Sequence, residues 1–357
     1  MRNRIRTVCR LRKFWYIRKG WSAMINLPDS MRPGVYTSTD VRSGAASVDK
    51  RTAVAAVGQA KADYEPVGTI VEVHAYADAA VFGEESALCA MARALLAGGV
   101  SRVLAVAAGT DYETAFAALE GESGLFAVVS DGGGAALAHH INACCAMGRE
   151  RVGIVAVSEV EAAAEAAGAI NHTRVMVACD AGTRTAEVAA AFAAAAANAA
   201  GTNSLNGLPL RLEKPFDGTL TAVQIETLLR AGVAPFERRG EGAACVRAVT
   251  TGRTGDAVEG PHAALSTALA VDAVVSAVRG AVGTRLRGLK NNAVTRESIA
   301  SQITVELEAK RALGVIDSYE PPRVTAHPCD ASVCVATLSM RVAPEISQIV
   351  VAAEIVV

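Results

Sequence analysis

The sequence predicts an α/β fold built on a parallel sheet, followed by a smaller α+β region. Two observations carry that prediction. Between Arg51 and about Ala178, short β-branched runs alternate with alanine-rich stretches of helical character, the strand, crossover, strand rhythm of a parallel sheet with helices on both faces. Beyond about Thr250 the rhythm changes to two long helical patterns and then apolar extended runs.

The expected strands of the first part are Ala53 to Val57, Thr69 to Val73, Arg102 to Val106, Leu125 to Val129, Arg151 to Val157 and Arg174 to Val177. Helices are expected to begin at Glu84, Asp111, Gly132, Glu159 and Thr183. Their alanines supply helix propensity without rotamer cost and allow close approach to the sheet. An Asn/Gly-rich loop, Gly201 to Gly207, leads to an extended run at Leu208 to Leu212 and a helix near Ala222 to Ala231. Extended runs at Val233 to Arg238 and Ala244 to Thr250 flank Gly240-Glu241-Gly242, which marks a hairpin. Helices near Ala263 to Val282 and Thr295 to Leu313 follow, then Pro321-Pro322. The runs Ser332 to Val342 and Ile346 to Val357, either side of Ala343-Pro344-Glu345, read as a strand pair. The domain division expected is an N-terminal arm at 24–50, an α/β body at 51–245 and a C-terminal α+β domain at 246–357.

With 357 residues and 51% of them apolar the chain has ample core and is no disordered protein. No stretch is expected to reach the roughly 18 to 20 uncharged apolar residues of a spanning helix, so no membrane is expected. Residues 1–23 carry eight basic side chains and no acid; the remainder, with 27 basic and 36 acidic residues, has a net charge of −9 and suits nucleic acid poorly. Lys19-Gly20 must be encoded by a purine run containing AGG, three codons before Met24, so residues 1–23 are expected to be a read-through ribosome-binding region or a disordered basic segment. An intact mass of the native protein that included Met1 to Ala23 would contradict a start at Met24.

Familiar chemistry is sparse. The eight cysteines form no CxxC pair and read as reduced thiols. His140 and Cys144 share a helix face, but two ligands do not make a zinc site. Asp131-Gly132-Gly133-Gly134 joins a strand to a helix where amides could meet a phosphate, yet it lacks both the P-loop Lys-Ser/Thr and the GxGxxG spacing. A nucleotide-binding or phosphate-binding α/β enzyme at Asp131 to Gly134 is the alternative class. No GxSxG elbow is present, and Glu84-Glu85 suits a helix start better than an acid/base pair.

The ends are more informative. After Pro33-Gly34, the residues Val35, Thr37, Thr39 and Val41 alternate onto one face, with Tyr36 between them. Ser347 to Val357 has Glu354 as its only charge, and a free apolar strand of this kind would aggregate unless paired. Between Asp272 and Glu297 there is no acid, while Arg279, Arg285, Arg287, Lys290 and Arg296 give a local charge of +5.

The order of Arg32 to Tyr36 (RPGVY), the α/β body, Leu220 to Val233 (LTAVQIETLLRAGV), Ala248 to Gly252 (AVTTG), two helices and Leu313 to Tyr319 (LGVIDSY) resembles contractile phage tail sheath proteins, from about Met24 to the end. The resemblance implies a subtilisin-like body without protease chemistry; the HGT and GTSMA boxes are indeed missing. It further implies an inner α+β domain whose sheet is completed by terminal strands exchanged between subunits. Val35, Tyr36, Thr37, Thr39 and Val41 would lie in one such strand and Ile349, Val351, Ala353 and Ile355 in the other. Arg279, Arg285, Arg287 and Lys290 would face the tube. The implied partners are copies of the chain in stacked hexameric rings, the tail tube protein, the baseplate and the tail terminator. The implied place is the tail sheath of a particle assembled in a bacterial cytoplasm. No catalytic residue, cofactor or metal is implied.

Overall fold

The computed structural model describes residues 53–199, 204–240, 242–253, 262–283 and 289–343. Among the described residues nine strands form the main sheet. In chain order the body runs β1 (Ala53–Gly58), β2 (Ile70–Val73), α1 (Tyr76–Ala79), α2 (Ala87–Ala97), β3 (Arg102–Ala107), α3 (Tyr112–Ala118), β4 (Leu125–Ser130), α4 (Gly134–Ala146), β5 (Val152–Ala156), α5 (Val160–Ile170), β6 (Val175–Cys179) and α6 (Thr185–Asn198). It continues with β7 (Pro209–Leu210), α7 (Ala222–Ala231), β8 (Val233–Arg239) and β9 (Gly242–Cys245). The sheet order is β2-β3-β1-β4-β5-β6-β8-β9-β7. The six central strands, β3 to β8 in that order, are parallel, and β2, β9 and the two-residue β7 add antiparallel edges.

Each predicted strand of the body is present within a few residues, because the central strands are buried on both faces and read as unbroken apolar runs. Along β1, Val54 and Ala56 enter one apolar cluster and Ala53, Ala55 and Val57 the other. Alanine-rich α2 and α6 cover the first face; α3, α4, α5 and α7 cover the second. At the α2–α6 crossing a Cβ on Gly98 would stand 2.3 Å from the Ala194 methyl, so only glycine permits that approach. The helix starts have local causes. Ser86 Oγ accepts from Cys89 N, Asp111 from Glu113 N, and Thr221 with Gln224 forms a reciprocal capping box.

The run Ala244 to Thr250, expected as one strand, is two. β9 ends at Cys245, and β10 (Val249–Arg253) pairs instead with β11 (His262–Ala264) in a separate ribbon. Then come α8 (Leu265–Gly283), α9 (Ala293–Ala312), β12 (Ile316–Ala326) and β13 (Cys334–Val342). α8 starts inside the body core, through Leu265 and Leu269. From Ala270 onward it contributes Val271, Val274, Val275, Val278 and Val282 to a third cluster with Ile299, Ile303 and Leu307 of α9.

One expectation needs correcting. By length and composition α8 could cross a membrane, since its mean hydropathy is 1.5; it is instead a core helix, with 72% of that window buried inside the protein. β13 pairs antiparallel with β12, while its expected pairing with Ile346 to Val357 falls on residues outside the described ones. The strand β12 passes through Pro321-Pro322 because its register shifts between Glu320 and Arg323, which removes the ladder positions that proline could not fill.

Candidate functional site

The glycine-rich turn between β4 and α4 is occupied by the protein itself. Gly133 has φ of +67°, and a Cβ there would lie 2.5 Å from the ring of Tyr112; on Gly132 it would lie 2.9 Å from the Tyr112 hydroxyl. Tyr112 donates to Asp131 Oδ1 at 2.7 Å, Gln59 N donates to Asp131 Oδ2 at 2.9 Å, and Gln59 Nε2 donates to the Tyr112 oxygen at 3.2 Å. Burial, with the Asp131 charge adding to it, pushes the Tyr112 phenol up to about 12. The glycines therefore make room for an aromatic ring over the turn. A phosphate cradled on those amides would have to displace it.

The pair singled out on α4 is a packing unit. His140 is 2% exposed, stacks on Phe116 at 5.7 Å between centroids, and has Nε2 at 3.6 Å from Cys144 Sγ. Burial, reinforced by the Arg151 charge, lowers its pKa to about 4. Arg151 is itself 1% exposed and is satisfied by main-chain oxygens, Nη1 donating to Leu119 O at 3.0 Å and Nη2 to Glu122 O at 2.5 Å. No group of three or more His, Cys, Asp or Glu side chains is arranged to hold a metal ion among the described residues, and the cysteines among them are free thiols.

The strongest constellation is mechanical: two ion pairs that lock α8 onto the ends of β5 and β6. Arg174 and Asp272 form a forked pair, with Nη2–Oδ1 at 2.7 Å and Nε–Oδ1 at 3.1 Å. Asp272 is 2% exposed. Desolvation works against the Arg174 charge, but Asp272 overcomes it and the pKa is raised. Two turns along α8, Arg279 grips Glu150 through both guanidinium nitrogens and donates to Gly148 O at 3.0 Å. Beside these pairs the β10–β11 ribbon docks on the turn before β6. Gly252 N donates to His172 O at 3.0 Å, and Thr251 Oγ1 accepts from His172 N at 2.9 Å. A Cβ on Gly252 would be 2.6 Å from Thr173 N, so this seam also requires glycine. Burial first, then the Arg174 charge, lowers His172 to about 4.

Of the basic residues expected to face a tube, Arg279 is thus largely buried and engaged within the chain, and Lys290 is exposed just before α9. Arg285 and Arg287 lie outside the described residues, as do the strand residues Val35, Tyr36, Thr37, Thr39, Val41, Ile349, Val351, Ala353 and Ile355. Sequence reasoning missed Arg174, Asp272 and Glu150. The available signal was Asp272, the one acid inside the apolar run of α8.

The α/β body is joined through buried α8, which pairs with α9, to an antiparallel ribbon, and solved structures share this fold. The anti-feeding prophage helical sheath in its contracted state superposes with a TM-score of 0.65 at 13% identity, covering 91% of this chain and 99% of that one. A chain of the six-fold symmetrised anti-feeding prophage baseplate gives 0.65 at 15% identity, covering 92% and 100%. The sheath tail protein of Desulfitobacterium hafniense gives 0.58 at 12%, covering 87% and 100%. The chain has the fold of phage-tail-like sheath proteins. No protein-family model matches its sequence, and no curated protein matches it.

Proposed function

We propose that the chain is a structural subunit of a contractile tail sheath, forming a helical sleeve of stacked hexameric rings around a tail tube and contracting to drive the tube through a bacterial envelope. The observation that carries this reading is a fold match to sheath proteins over nearly the whole of both chains. The interlocked junction supports it. A subunit that transmits force between layers needs a joint that does not slip, and two buried ion pairs plus a glycine-tight seam supply one. Interfaces repeated by a screw axis make an open filament, and the work of contraction then comes from interface energy.

In this reading the α/β body, the subtilisin-like outer layer, is a carrier, and polymerisation resides in the arms and the inner domain. Residues 34–41 and 347–357 are strands given to neighbouring subunits. The linker Arg42 to Asp49 spans at most about 26 to 29 Å extended, enough to cross a small domain. Main-chain ladders between arms survive rotation of the bodies that carry them. The basic stretch holding Arg285, Arg287 and Lys290 faces an acidic band on the tube; Arg279 anchors α8. Baseplate and terminator proteins close the two ends, and the particle is assembled in the host cytoplasm. The sleeve needs no cofactor, catalytic residue, metal, nucleic acid or membrane.

Negative-stain microscopy of the purified protein tests the reading. Hollow tubes or stacked rings are expected; monodisperse particles at all concentrations and salts would contradict it.

A further inference from the structure

The β10–β11 ribbon meets the body at two histidines, and their ring nitrogens face opposite kinds of partner. At the first, β10 docks on the turn 172–174 between α5 and β6, through Thr251 and Gly252. His172 Nδ1 accepts from Arg174 N at 3.0 Å across that turn, and Nε2 lies 2.9 Å from Asn142 Oδ1 of α4. These partners fix a neutral ring with its proton on Nε2, because a proton on Nδ1 would meet the Arg174 N–H head on. The same turn is the seat that admits only glycine at 252, where a Cβ would be 2.6 Å from Thr173 N. A turn reshaped by a charged ring no longer fits it.

At the second point the chemistry is reversed. The His262 ring of β11 packs on Gly232, where a Cβ would lie 2.4 Å from Nδ1. Its Nδ1 stands 3.1 Å from Thr251 O and its Nε2 3.2 Å from Arg230 O, one of the carbonyls that end α7. A neutral ring donates to only one of those oxygens; a charged ring donates to both, and a helix C-terminus favours the charge. The charge beside His172 is Arg174, which engages Asp272 of α8, while Asn142, Thr251 and Gly252 are uncharged. The charge beside His262 is its cross-strand neighbour Arg253, and the Arg230 side chain pairs with Glu226. Burial and then Arg253 lower the His262 pKa, with the main chain of Arg230 and Thr251 pulling the other way.

We propose that the ribbon is an acid-released hinge: protonation of His172 frees β10 from the turn 172–174, while His262, which keeps both its carbonyl partners when charged, holds β11 on α7 as the pivot. β11 is fixed from its other end as well. It runs straight into α8, where Leu265 N donates to Ala248 O at 2.9 Å and the Arg174–Asp272 and Arg279–Glu150 pairs hold the helix to the body. The hinge belongs to the single subunit and holds whether or not the chain forms a sleeve.

The test is hydrogen–deuterium exchange of the full chain, resolved to single amides, at about pH 6.5 and pH 4.5 and corrected for the pH dependence of intrinsic exchange. The amides of His172, Arg174 and Gly252 should exchange at least about tenfold faster at the lower pH, within the limit of about tenfold per pH unit that one titrating group allows. The amide of Leu265 and those of β4 should not change. His172→Asn, whose Oδ1 can accept from Arg174 N as Nδ1 does, should keep the β10 amides protected at both pH values. His262→Ala should extend the acid response to Leu265. If His172→Asn fails to fold, a full titration of Gly252 exchange in the unaltered chain carries the test, since it must follow one group titrating below 6.5. Equal protection of Gly252 at the two pH values would overturn the proposal. So would an acid response that His172→Asn leaves unchanged, or one that reaches Leu265 and β4 equally and so reports unfolding of the whole chain.

Discussion

The α/β body and the β12–β13 ribbon are both β structures, yet they are built to opposite plans. Strands β1, β4, β5 and β6 are buried at every position, whereas β12 buries two of its eleven residues and β13 one of its nine. The body's strands are satisfied by neighbours and helices of the same chain. The ribbon packs on α9 through half-buried Tyr319, Val324, Leu338 and Met340 and leaves much of its surface to solvent. α9 shows the same trait: Val294, Ser298, Ser301, Val305, Ala309 and Ala312 fall on one uncharged, exposed stripe. On the reading proposed above, this open region would be the inner layer, the one through which subunits polymerise.

Breaking the joint between the two should have the largest effect. Arg174→Ala leaves Asp272 charged and buried, and should cost about 3 to 5 kcal/mol in urea unfolding. The contrast is Arg230→Ala, which removes an ion pair with Glu226 whose partners are 78% and 60% exposed. That change should cost less than about 1 kcal/mol. Next comes the body. Gly133→Ala drives a methyl into the Tyr112 ring at a positive φ, and should cost about 1 to 3 kcal/mol. Tyr112→Ala in the same background should recover part of it if the ring is the obstacle.

Two histidines also make the stability depend on pH. His140 and His172 have folded pKa values lowered to about 4 from an ordinary 6.5. Between those values the unfolded chain holds protons that the native one excludes, so stability falls as pH drops from 6.5 to 4. The slope is at most about 1.4 kcal/mol per pH unit for each histidine. His140→Asn should flatten the body's share of that slope. At the open end of the comparison, Val294→Ser and Val305→Ser on α9 should change subunit stability by less than about 0.5 kcal/mol.

The same contrast explains what the sequence disclosed. Unbroken apolar runs such as Leu125 to Val129 and cap signals such as Asp111 and Thr221 mark the body's elements within a few residues, because there local pattern and tertiary burial agree. The run from Ala244 to Thr250 hid a change of sheet, since apolarity is the same in either partner. Pro321-Pro322 hid a strand because a bulge excuses missing ladder donors. The pairs Arg174–Asp272 and Arg279–Glu150 join residues 98 and 129 positions apart, a proximity no local spacing encodes. The ring of Tyr112 over Gly133 was hidden for the same reason, and a phosphate and an aromatic ask for glycine alike.

The central proposal is that polymerisation resides in the arms and inner layer and not in the body. Its most direct test is negative-stain microscopy, with sedimentation, of three forms: the full chain, the chain lacking Ile349 to Val357, and the chain with a short insertion between Gly201 and Gly207. Tubes are expected from the first and third, and from the second only soluble subunits that melt cooperatively. Normal tubes from the deletion, or their loss on the insertion with folding intact, would contradict the account.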